Sequence, residues 1–359
     1  MATTGGRATN GPHNGSPIAS GTKSSNVSQR EDLANFISMI TRDETPFLSS
    51  IGKTKASAVY HEWQTDELAA PGDSKLVDGA DFATPGAGST SEGGDAFNPV
   101  GPFRTRLGNY TQINGKTIAV SGTRRAVDQA GVADEYAYQL KKRGTELRRD
   151  IEADLVLNYQ TANGSGTRTM GGFQSFINSE TTCNYASGTA VSAGNANKGT
   201  NAPTLDTVAN RQALSLSDVD SVMQKIYQEG GSASKIMLSP KLRRDFSDLM
   251  VSDAGVRRNI DDSGKLRQSV DIYMSDFGDL MVVPNYIMGL QTADGAAAGE
   301  HKDSCALIYD PQWFSLATLR PMKEVDVGQK GDSTVGMIVE ETTLEVKNPK
   351  GCGAIYGIK

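Results

Sequence analysis

Two Gly-Lys-Thr triplets, Gly52 to Thr54 and Gly115 to Thr117, carry the ending of a phosphate-binding loop, in which backbone N–H groups and the lysine would cradle a nucleotide's phosphates. The glycine that must stand five residues before each triplet is Phe47 in one case and Tyr110 in the other, so neither can close around a phosphate. Gly164, Gly166, Gly171 and Gly172 miss the dinucleotide-loop spacing and follow a helical pattern where that motif needs a strand, so they read as a flexible joint. The three histidines are His13, His61 and His301, and no Gly-x-Ser-x-Gly elbow presents a nucleophile to any of them.

Cys183, Cys305 and Cys352 are odd in number and far apart, without the paired spacing of a zinc site or a disulfide framework, and are expected to be reduced structural thiols. Adjacent acids such as Glu340-Glu341, Asp261-Asp262 and Asp43-Glu44 point to opposite faces of an extended chain and cannot converge on a cation. Solvated charge or ion pairs between subunits are expected of them. Arg104, Arg106, Arg124 and Arg125 have the chemistry to hold phosphate, but 36 Lys and Arg stand against 42 Asp and Glu, a net charge of -6. On such an acidic chain, with pI near 5.3, their expected partners are carboxylates of another subunit. The same balance disfavours a groove-reading DNA-binding protein. No catalytic residue, cofactor or metal is expected, and the chain does not read as an enzyme.

The elements that would position these residues are unevenly spread over 359 residues, about two domains' worth of chain. Residues 1–30 are almost all Gly, Ser, Thr, Asn and Ala with three basic residues and no acid, a composition too polar to order itself. Ser28 and Glu31 form a capping box, and Leu33, Phe36, Ile37 and Ile40 recur on one face, predicting a helix that stops by Thr45 before Pro46. Residues 56–65 alternate as a strand with Val59, His61 and Trp63 on one side, and Phe103 to Gly122 form a second extended run. Between them, Asp66 to Gly101 hold seven Gly, three Pro and seven acids against the single basic Lys75. A connection that long without periodicity predicts two strands that leave the body, bury little against it, and are completed by a neighbour.

From Asp134 to about Thr161 a single long helix is predicted, with Tyr136, Leu140, Leu147, Ile151, Leu155 and Tyr159 on a narrow stripe. Asn178 to Thr204 is of low complexity and reads as a surface insertion. A helix capped by Ser217 and Asp220 follows, then a strand at Lys235 to Pro240, a further helix and a hairpin turning near Asp276 to Asp279, together a compact α/β lobe. The remainder is strand-rich, and Leu344 and Val346 alternate with Thr343, Glu345 and Lys347 in a half-buried sheet suited to pack on the long helix. The N-terminus lacks the apolar core of a signal peptide and no run approaches a membrane span, so a soluble intracellular chain without membrane contact is expected.

This order of elements resembles the major capsid protein of tailed bacteriophages, the Hong Kong phage-type capsid fold family. Arg42 to Leu68, RDETPFLSSIGKTKASAVYHEWQTDEL, is similar to the opening of a subgroup of that family, and Lys141 to Thr161, KKRGTELRRDIEADLVLNYQT, to its spine helix. The resemblance covers nearly the whole chain and implies an α+β fold. It implies an N-terminal arm at 1–50, an extended loop at 56–122, a peripheral domain from 123–165 and 305–359, and an axial domain at 166–304. The implied function is structural: pentamers and hexamers self-assemble into an icosahedral shell around packaged double-stranded DNA, in a virion assembled in the host cytoplasm. In that family the extended loop lies over a neighbouring subunit.

Trp63, Lys75, Arg104, Arg106, Arg124, Arg125, Arg148, Arg149, Glu340 and Glu341 are the positions expected to touch neighbours. Lys75 would be the sole candidate for the lysine cross-link some members form, and without a recognisable partner none is expected. With only a short segment before the first helix, a separate scaffolding protein is implied, beside portal and decoration proteins. DNA would be contacted weakly and without sequence preference. An encapsulin-like compartment enclosing cargo enzymes shares the fold and is the alternative; a hydrolase or nucleotide-dependent enzyme fails every spacing test above.

Overall fold

The computed structural model describes residues 41–66, 68, 104–127, 131–157, 162–163, 167–177, 183–185, 212–253, 271–289, 305–329 and 331–358. Two units make up the chain, residues 1–38 with 128–133 and residues 39–127 with 134–359, and every element below belongs to the second. The capping box at Ser28, the helix predicted through Ile40, the loop tip with Lys75, and the Asp261-Asp262 pair lie outside the described residues. Among the described residues no helix is long and apolar enough to cross a membrane.

A four-stranded sheet and a long helix form the first layer pair. Strand β1 (Gly52–Lys55) runs parallel to β12 (Phe314–Gln329), which pairs antiparallel with β13 (Ser333–Val346), and β13 pairs with β4 (Gln112–Ser121). Helix α3 (Glu135–Leu157) lies on the face that carries Ile118, Val120 and Ile338 and buries Leu147, Ile151 and Leu155 there, the phase predicted by their spacing of four. Close approach is needed at Gly336, where any Cβ would collide with the Tyr136 hydroxyl of α3.

The chain enters this core one turn later than predicted. Pro46, read as the stop of a preceding helix, instead opens helix α1 (Pro46–Ser50), where a missing N–H is no loss and the fixed φ suits the first turn. Phe47 is fully buried and meets Phe173, Tyr309 and Phe314 edge-on, with ring centroids 6.0, 5.3 and 5.4 Å away. The segment Met170 to Ile177, which includes the glycines read as a joint, is likewise buried and plugs this core with Phe173, Phe176 and Ile177.

The second layer pair is a six-stranded sheet in the order β7 (Cys183–Tyr185), β14 (Gly353–Tyr356), β11 (Ala306–Tyr309), β8 (Lys235–Leu238), β10 (Gly278–Pro284) and β9 (Ile272–Ser275). Helices α4 (Leu216–Gln228) and α5 (Pro240–Asp253) accompany it, and Val219, Val222, Ile226, Leu242 and Phe246 are buried with Ile236, Leu280 and Val282. The α4 cap sits two residues before the predicted one: Ser215 and Asp218 close a capping box in both directions. The β9–β10 hairpin turns at Asp276 and Phe277, as predicted.

Strands β11 and β14, expected in the outer domain with the rest of 305–359, hydrogen-bond into the six-stranded sheet, whereas β12 and β13 do not. Their composition explains this. Ala306–Tyr309 and Gly353–Tyr356 are buried at every position, the signature of interior strands, while β12 and β13 alternate or are exposed.

Candidate functional site

Strand β2 (Tyr60–Thr65) pairs antiparallel with β3 (Thr105–Tyr110) from Tyr60–Tyr110 to Thr65–Thr105. The extended run read as one strand from Phe103 to Gly122 is broken at Thr111, where the chain leaves β2 and joins β13. Thr111 is buried; its N–H donates to Val59 O at 2.8 Å and its hydroxyl to Glu341 Oε1 at 2.9 Å. Both bonds cannot be kept on a straight strand, so β3 and β4 belong to different sheets.

The root of this ribbon is fastened to its own body, contrary to the expectation of two strands burying little there. Asn109, fully buried, donates through Nδ2 to Gly171 O and Leu344 O, both at 2.9 Å, and accepts the Gly171 N–H at 2.8 Å. Thr343 Oγ1 donates to Tyr110 O at 2.9 Å, and Trp63 Nε1 to Val346 O at 2.8 Å while its ring lies 5.8 Å from that of Phe176. His61 Nε2 stands 3.6 Å from Glu345 Oε2, which accepts the Thr54 hydroxyl at 2.9 Å. That arrangement orients strands; no nucleophile stands beside the imidazole. The ribbon's own glycine is a contact as well: a Cβ on Gly108 would lie 2.6 Å from the Tyr60 ring.

At the break in the ribbon, Glu341 joins four segments. Arg168 of β6 (Arg168–Thr169) donates to Oε1 at 2.7 Å beside Thr111, and Arg320 Nε donates to Oε2 at 2.7 Å. Burial would push the carboxyl up, yet the Thr111 hydroxyl and the Arg320 and Arg168 guanidiniums outweigh it and hold Glu341 below the usual range. Glu341, expected to meet a neighbouring subunit, thus has both oxygens engaged within its own chain. The reason is local: Arg320 is its cross-strand partner on β12.

The remaining positions divide differently. Arg104 pairs with Asp66 at 3.4 Å and Arg106 with Glu62 at 3.7 Å, all four exposed on the ribbon. Arg124, in helix α2 (Gly122–Ala126), lies 3.2 Å from Glu135, and Arg125 donates to Thr334 Oγ1 at 3.1 Å. Arg148 is exposed on α3 and Arg149 is half-buried. Glu340 points to the α3 side, where burial pushes its carboxyl up against the opposing pull of Arg148 and Lys53.

A second buried carboxylate escaped the sequence reading. Glu152 of α3 accepts the Phe47 N–H at 2.9 Å, the Leu48 N–H at 2.7 Å and Asn285 Nδ2 at 2.8 Å. Burial pushes Glu152 up despite these three bonds. Its signal was present, an acid beside Ile151 on the apolar stripe, but it was read as part of the charged surface. Asn109 and Arg168 carried no comparable signal, because their partners are far away in sequence.

The nucleotide-like triplets are used for structure: Gly52 to Thr54 lie in β1 and Gly115 to Thr117 in β4, with backbone groups serving the ladders. Among the described residues, no three His, Cys, Asp or Glu side chains gather as a metal site. Cys305 and Cys352 are buried free thiols, the latter pushed up by burial. What the geometry offers is a rigid platform that holds a two-stranded ribbon by its root.

A family model described as SU10 major capsid protein matches residues 18–359. The major capsid protein of Escherichia phage Phieco32 is 26% identical over 353 residues, covering 90% of this chain and 93% of that protein. Among solved structures, the capsid of Myoviridae phage XM1 superposes with a TM-score of 0.55 at 13% identity, over 91% of this chain and 97% of the other. The SrpI encapsulin complex from Synechococcus elongatus superposes with a TM-score of 0.50 at 9% identity, over 92% and 93%. At such identities the structural likeness shows a shared fold.

Proposed function

The chain belongs to the SU10 major capsid protein family, and from that premise we propose that its copies tile, through pentamers and hexamers, an icosahedral shell enclosing packaged double-stranded DNA. The observation that carries the reading is the family match over residues 18–359, nearly the full chain. The physical design supports it: both buried carboxylates, Glu152 and Glu341, tie distant segments into one stiff body. The role is mechanical, with no catalytic step. An acidic wall, at a net charge of -6, contacts DNA weakly and without sequence preference, which leaves packing and ejection unhindered.

Within this reading residues 1–50 form the arm, 56–122 the loop with its fastened root, 123–165 and 305–359 the peripheral domain, and 166–304 the axial domain. β11 and β14 then cross from the peripheral to the axial sheet. Trp63, Lys75, Arg104, Arg106, Arg124, Arg125, Arg148, Arg149 and Glu340 face neighbours, and portal, scaffolding and decoration proteins complete a virion assembled in the host cytoplasm. Expressed protein should form large closed particles in electron micrographs and elute ahead of the monomer on gel filtration; a persistent monomer at high concentration would refute the reading. The likeness to an encapsulin supports a second reading, a shell around cargo enzymes. Particles isolated from the native source containing DNA favour the first, and particles containing enzyme the second.

A further inference from the structure

The face of the four-stranded sheet turned away from α3 is occupied over only part of its length. Along β13, the residues on this face are Val335, Met337, Val339, Glu341, Thr343 and Glu345, and from Glu341 onward they are covered by the ribbon root. The contacts climb β13 in order: Thr111 at Glu341, Tyr110 at Thr343, His61 at Glu345, Trp63 at Val346. The ribbon therefore travels along β13 toward Val346, and its far strands, ending at Thr65 and Thr105, point away from Val335.

The other part of the face is apolar. Val325, opposite Met337, is 39% exposed, and Ile113, opposite Glu341, is 51% exposed, while Val335, Met337 and Val339 are half-buried. Scattered exposed valines need no explanation, but these adjoin one another across three strands on one side of one sheet. Exposed Lys323, opposite Val339, and Arg320, whose side chain is 55% exposed, edge the patch with positive charge. Glu341 brings one negative charge there against the two of Arg168 and Arg320.

We propose that this open face is the seat of the Asp66 to Gly101 segment of a second copy of the chain. The inference rests on the shell reading and deepens it by naming the receiving surface. Three observations select the occupant. The segment is acidic, with seven acids to one lysine, against a patch edged by Arg320 and Lys323. It emerges from a ribbon whose own root already lies on the same face of β13, so one strand pair per subunit continues a surface that another begins. And the ribbon leaves one end of β13 while the open face lies at the other, a head-to-tail relation that closes into rings and shells when repeated between copies.

The test uses the full chain. Met337 is replaced by p-benzoylphenylalanine, these subunits are mixed with heavy-isotope subunits before assembly, and the particles are irradiated and mapped by mass spectrometry. The expected result is a light-to-heavy cross-link from position 337 to residues 66–101. Cross-links to the N-terminal arm, to the same face of another copy, or to the 66–101 segment of the same chain would overturn it. Val339→Asp, which sets a negative charge in the seat, should lower particle yield about tenfold or more, and Val339→Lys distinctly less. Equal yields from the two variants would also overturn it. If the unsubstituted chain forms no particles, the shell reading falls and takes this inference with it; particles lacking the cross-link remove the inference alone.

Discussion

Phe47 donates its backbone N–H to the Glu152 carboxylate at 2.9 Å, across 105 residues of chain. Thr45, the residue in the capping position of α1, makes no side-chain cap bond, so a glutamate on the spine helix serves as the cap from a distance. Glu152→Ala strips an acceptor from Phe47, Leu48 and Asn285 at once and should lower stability by about 3 to 5 kcal/mol in denaturant melts. Glu152→Gln keeps one acceptor oxygen and should lose about 2 kcal/mol. Because burial raises this carboxyl above its ordinary 4.5, the folded chain holds the proton more tightly than the unfolded one. Its contribution is therefore fullest below 4.5 and declines as pH rises, so the stability gap between the parent and Glu152→Gln should narrow toward neutrality. A gap that widens instead would show the carboxyl to be lowered.

Glu341 should behave with the opposite slope. Its carboxyl is held below the ordinary 4.5, so its contribution is present above that value and is lost as pH falls. Glu341→Gln removes a charge that two arginines face, and should lose about 2 to 4 kcal/mol at pH 7 and progressively less below pH 4.5. Thermal melts of both proteins across pH 3 to 7 read the difference directly.

Leu147 and Ile151 are each 1% exposed under α3, so Leu147→Asp or Ile151→Asp buries a charge with nothing to pair it. Either should cost several kcal/mol and leave little folded protein in the soluble fraction. Unchanged melting would mean that the helix phase is wrong.

Deleting Pro71 to Pro99 spares every bond of the ribbon root, including Trp63 to Val346 and Asn109 to Leu344. Circular dichroism should therefore report a folded subunit with unshifted melting. Electron microscopy should show failed or aberrant particles, and normal shells from this deletion would refute the loop's role in assembly.

The amino-acid sequence alone determined what depends on neighbours within a few residues. The spacing of Leu147, Ile151 and Leu155 set the face of α3, the aperiodic stretch after Asp66 marked the loop, and the failed glycine spacings excluded a phosphate loop. Tertiary structure decided what depends on residues far along the chain. Pro46 starts a helix because Glu152 supplies its cap; Thr111 divides a continuous extended run because Val59 and Glu341 claim it; Glu341 turns inward because Arg168 and Arg320 arrive from two other strands. Periodicity reports which side of an element is apolar, but a buried polar group is stable only beside a specific partner, and that partner's identity exists only once the chain has folded.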